Sequence, residues 1–109
     1  IRLEGFQLRL AGLVKYALTN KGGQAGLEEL AAAMAHQPAT VMSGLEWLRA
    51  RGDITLTVDG DRLNITTKGS RNENALEPAL DRLLDLLAET AAFRVYYRHT
   101  SKRLLIDGF

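Results

Sequence analysis

Cysteine is absent from the 109 residues, which excludes disulfide frameworks, thiolate metal centres and cysteine nucleophiles. Histidine is scarce too. His36 and His99 are the only two, and neither has a second ligand at a metal-binding spacing. No excess of either charge is present: 14 basic against 13 acidic residues give a formal +1. Bulk charge therefore demands neither a nucleic-acid nor a membrane partner, and any such surface must come from local clustering. No hydrophobic run is long enough to span a bilayer, because the longest uncharged stretch, starting at Leu30, is polar at His36-Gln37-Pro38. The lack of cysteine leans the expected compartment to the cytoplasm; no signal-like segment follows Ile1, and the missing initiator Met suggests a piece of a longer polypeptide.

Catalytic patterns are missing as well. Gly22-Gly23 precedes no lysine-serine signature, and Ser43 and Ser70 have no evident base. The carboxylates Glu77, Asp81, Asp85 and Glu89 run at steps of four on one solvated helix face, and without burial such a row makes no acid–base site. The expectation is a non-catalytic chain without cofactor or metal. What is present is 46% hydrophobic residues in a length that suits one domain, residues 1–109, with a single core.

Phe6, Leu8, Leu10, Leu13, Val14, Ala17 and Leu18 recur at spacings of three and four, predicting a helix over about 5–19 that the Asn20-Lys21-Gly22-Gly23 turn ends. Leu27, Leu30, Ala31 and Met34 predict a second helix over about 27–35, with Glu28 and Glu29 in the first turn. Pro38 both ends that helix and opens a third, over 38–51, which Gly52 closes. The period then changes to alternation in Ile54, Leu56 and Val58, and Asp59-Gly60 matches a two-residue hairpin turn. That turn would set Leu56 opposite Leu63 and Ile54 opposite Ile65, with all four on one face of a hairpin over 54–67. After a polar connector, Asn74 with Glu77 resembles a capping box, with Pro78 in the first turn. Leu76, Leu80, Leu83, Leu84, Leu87 and Ala91 predict the longest helix, over about 75–98.

Leu27–Ala35, Pro38–Leu48 and the ribbon from Ile54 to Ile65 give the chain an order that resembles the winged helix-turn-helix superfamily. The implied fold is α+β, mostly α, with three helices, a two-stranded β-hairpin wing and an extra long C-terminal helix. Such domains bind DNA, RNA or other proteins. The segment from Leu87 to Arg94 after the winged-helix segment is also similar to the C-terminal accessory regions of bacterial RecJ-like single-strand-specific exonucleases. That similarity implies an accessory role in DNA repair.

A DNA-reading winged helix presents the first turns of its third helix to the major groove. Thr40 and Ser43 are expected to be exposed there and able to donate to phosphates, but no Arg, Asn or Lys offers a bidentate base contact. Asp59 and Asp61 at the wing tip would repel phosphate. Positive charge gathers instead at Lys68 and Arg71, and at Arg94, Arg98, Lys102 and Arg103, where Tyr97 interleaves. Cations with flat rings suit single-stranded nucleic acid. The same cations are also what a helix dipole favours at a C-terminus. Two other readings stay open: a protein-docking module using Ala39 and Met42, both expected to be exposed, and a transcriptional regulator that dimerises through the long helix.

Overall fold

The computed structural model describes the backbone of residues 2–106 and the side chains of residues 2–92. Its elements are α1 (Leu3–Asn20), β1 (Gln24–Gly26), α2 (Leu27–Met34), α3 (Pro38–Arg51), β2 (Ile54–Asp59), β3 (Arg62–Thr67) and α4 (Glu73–Ile106). Among the described residues the architecture is α+β and mostly helical, with four helices and one antiparallel sheet ordered β1-β3-β2.

The apolar stripe of α1 buries Phe6, Leu10, Val14 and Ala17. The helix stops where Gly22 and Gly23 take positive φ, a conformation glycine adopts without a Cβ clash. Gly23 also lies flat on β3: its carbonyl accepts from the Ile65 N–H at 2.7 Å, and a Cβ there would meet the Ile65 oxygen at 2.0 Å. This contact delivers the chain into β1, which pairs Ala25 with Leu63 and Gly26 with Arg62. The expected two-stranded hairpin is thus part of a three-stranded sheet. Three residues are too few for alternation to register in the sequence.

The hairpin spans 54–67 as expected, but its turn is Gly60-Asp61 rather than Asp59-Gly60. Leu56 therefore faces Ile65, Val58 faces Leu63 and Ile54 faces Thr67. The register has moved by two residues, so every side chain keeps its face, and Ile54, Leu56, Leu63 and Ile65 are all buried. The physical reason is long-range. The Asp61 carbonyl accepts from the Leu27 N–H at 2.9 Å, and its carboxylate accepts from the Glu28 N–H at 3.3 Å. Asp61 thereby satisfies two of the free N–H groups that open α2.

α2 ends at Met34 with Ala35 in the left-handed region at φ 56. His36 N–H donates to Ala31 and Ala35 N–H to Ala32, the pair of bonds that closes a helix C-terminus around a left-handed residue. Pro38 opens α3, and Gly52 at φ 86 closes it.

α4 begins at Glu73 and continues to Ile106, longer at both ends than the expected 75–98. Its cap is Asn72, not Asn74: the Asn72 side-chain oxygen accepts from the N–H groups of Asn74 and Ala75 at 3.1 and 3.2 Å. Pro78 is consequently the sixth helical residue, where it removes one intrahelical hydrogen bond. Leu83 and Leu87 anchor α4 in the core at 0% and 3% exposure.

Candidate functional site

α3 is the element on which any groove-reading function depends, and it is buried on more than one side. Val41, Leu45 and Leu48 belong to the core, as expected from their spacing. A second side receives α1. Gly44 meets Phe6 and Leu10 so closely that a Cβ would stand 2.6 Å from the Phe6 ring. A third side receives α4. The start of α3 shares a groove with Leu86, Glu89 and Thr90, while its end shares another with Ala75, Pro78, Ala79 and Arg82. The two helices therefore run antiparallel, side by side.

This packing decides the fate of the residues expected on the open face of α3. Thr40 is 1% exposed and Ser43 is 3% exposed, so neither hydroxyl can reach a phosphate. Thr40 lies at the groove shared with α4, and Ser43 follows one turn on. The Ser43 hydroxyl has no hydrogen-bond partner among the described residues. Met42 is half-buried and packs against the core, leaving only Ala39 of the expected docking pair exposed. Gln37, which precedes Pro38, is exposed.

The first groove, 670 Å³, is formed by the turn from Ala35 to Pro38 against Leu86, Glu89 and Thr90 of α4. His36 sits in its wall, half-buried, with its ring edge-on to Phe6 at 5.1 Å. Among the described residues no group of His, Asp and Glu could hold a metal ion, and no helix is long and apolar enough to cross a membrane.

The second groove, 550 Å³, lies where α3 ends and α4 begins. Arg49, Ser70, Asn72 and Arg82 line it, with Glu46 as its one acid among the described residues. Lys68 and Arg71 flank Ser70 in the chain and are exposed. Lys68 holds a left-handed φ of 63. Arg71 is ion-paired with Glu73, whose carboxylate accepts from its Nε, so part of its charge is neutralised locally. The Asn72 N–H donates to the Ala50 carbonyl at 2.8 Å and ties the connector to the end of α3.

The groove thus brings two cations that were not expected, Arg49 and Arg82, beside the connector residues Ser70 and Asn72. Arg49 carried a weak signal as a cation in the last turn of a helix, where the dipole favours it; Arg82, inside α4, carried none. Arg51 is committed elsewhere, 4.9 Å over the Trp47 ring and 3.2 Å from Asp53. Trp47 itself is buried, as core. Arg94, Tyr97, Arg98, Lys102 and Arg103 fall in the C-terminal part of α4, where the backbone is helical and the side chains lie outside the described residues. Comparison with protein families, with curated proteins and with solved structures finds no match to this chain.

Proposed function

We propose that the chain is a winged helix-turn-helix accessory module of a larger DNA-processing protein, non-catalytic itself, that holds nucleic acid by its phosphate backbone without reading bases. α1, α2 and α3 are its three helices, β2 and β3 its wing, and α4 the added helix. The observation that carries this reading is the burial of Thr40 and Ser43. With them covered, the first turns of α3 offer no hydrogen-bonding side chain beyond Gln37, and base discrimination needs paired donors and acceptors. Backbone holding needs only cations along a path. Arg49 and Arg82 in one groove supply the start of such a path, and Lys68 is exposed two residues before Ser70 of that groove. Arg94, Arg98 and Lys102 recur at steps of four further along α4, about 120° or more around its axis from Arg82, and form a second cationic row. The likeness of Leu87–Arg94 to exonuclease accessory regions makes a nuclease the fitting parent. Docking through Ala39 and Met42 is the weaker alternative, because Met42 is held against the core.

The test is fluorescence anisotropy with a labelled single strand, a random duplex and a palindromic duplex. Contacts from four of these six cations to the phosphates of a single strand imply that binding weakens about 50-fold between ~50 and ~200 mM salt, with no preference between the duplexes. A clear preference for the palindrome, or absence of binding at both salt concentrations, refutes the reading.

A further inference from the structure

The outward face of α1 is the least explained surface of the protein. Leu8 and Tyr16 are the most exposed large apolar side chains among the described residues, at 75% and 57%. They sit away from the stripe of Phe6, Leu10, Val14 and Ala17; Gly12 shares their side, and Gly5 stands at its margin, where it also borders a groove with Met34, Ala35 and His36. Nothing lies within 4 Å of where a Cβ would stand at either glycine. Glycine is a poor helix former, so two of them on an open helical face cost stability without relieving any contact inside the chain.

We propose that this face is a self-association surface, on which a second copy of the chain packs its own α1 antiparallel. The face is complementary to itself in only that orientation. About a two-fold axis level with Leu10, Leu8 meets the partner's Gly12 and Gly12 receives the partner's Leu8. Tyr16 reaches over the partner's Gly5, and Glu4 lies beside the partner's Lys15, with each contact repeated by symmetry. Glu4 and Lys15 are both exposed and free of any ion pair among the described residues. A parallel pair would instead set Leu8 against Leu8, leave a void between facing glycines and oppose Glu4 to Glu4. Large against small and acid against base are the marks of an isologous interface. Arg9 falls at the edge beside the partner's Arg9, a like-charge pair that solvent screens. An 18-residue helix is about 27 Å long, so the contact belongs to the small interface class, below about 1,200 Å². The dimer is accordingly of the weak, transient kind.

Sedimentation equilibrium of the full chain tests this. The weight-average mass is expected to rise from 12.0 kDa toward twice that value with concentration. Leu8→Lys and Gly12→Glu, both at exposed positions, should weaken association about tenfold or more by charging or filling the socket, with circular dichroism confirming the helical fold. Glu4→Lys should weaken it and the double variant Glu4→Lys/Lys15→Glu should restore it, a rescue that a general loss of folding cannot produce. A mass fixed at 12.0 kDa up to about millimolar protein, or association unchanged in Leu8→Lys and Gly12→Glu, overturns the proposal.

Discussion

Two glycine-to-alanine substitutions in helical segments should move stability in opposite directions. At Gly44 the new Cβ would stand 2.6 Å from one Phe6 ring carbon and 2.8 Å from a Leu10 methyl, where carbon pairs rest at about 3.5–4.0 Å. Both neighbours must recede by roughly 1 Å, and neither has room, being 3% and 1% exposed. Phe6 is further held edge-on against His36. Overpacking of this kind costs about 1–3 kcal/mol, against a gain of about 1 kcal/mol from helix propensity. The net expectation for Gly44→Ala is a loss of about 1 kcal/mol, or a fall in Tm of about 5 °C. At Gly12 the space is open, so the propensity gain stands alone, and Gly12→Ala should raise Tm by about 5 °C. Both should be followed by circular dichroism melts in dilute solution, where self-association does not contribute. If Gly44→Ala raises Tm as much as Gly12→Ala does, the close approach of α1 to α3 is not as described.

Ala35→Gly should stabilise by about 0.5–1 kcal/mol in urea denaturation, because the left-handed φ of 56 penalises a Cβ more than glycine costs in backbone entropy; a loss of stability would contradict the geometry of the α2 terminus. Asn72→Ala removes the cap of α4 and should cost about 1 kcal/mol, whereas Asn74→Ala should be close to neutral in the same assay. Leu83→Ala, at 0% exposure, should cost about 3 kcal/mol and lower the urea midpoint accordingly; a cost below about 1 kcal/mol would mean that α4 is not anchored in the core.

The helices and the ribbon were legible because each is bounded by a residue with a backbone reason to be there. Pro38 opens α3, Gly52 closes it, and the alternation from Ile54 marks β2. β1 was invisible because its three residues are a strand only by virtue of the free edge of β3 and the flat approach of Gly23. The hairpin register turned on Asp61, whose partners at Leu27 and Glu28 are more than thirty residues away; two registers kept the same faces, so the apolar pattern could not choose between them. The candidate site was read least well. Thr40 and Ser43 are short and polar and look solvated along the chain, yet tertiary packing buries both, Thr40 at the groove that α3 forms with α4. The cations divide the same way: Lys68 and Arg71 stood out in a polar connector, while Arg82 joins Arg49 solely through the packing of α4 on α3.

The connector from residue 68 to 72 is stitched to the body at three successive points. Gly69 rests against the Ile54 carbonyl, Arg71 against Gly52, and Asn72 is bonded to Ala50. α4 is therefore no detachable tail at its root. The amide protons of Asn72 and of the first turns of α4 should exchange with solvent as slowly as those of the sheet, and the protection of both should collapse together when the chain unfolds.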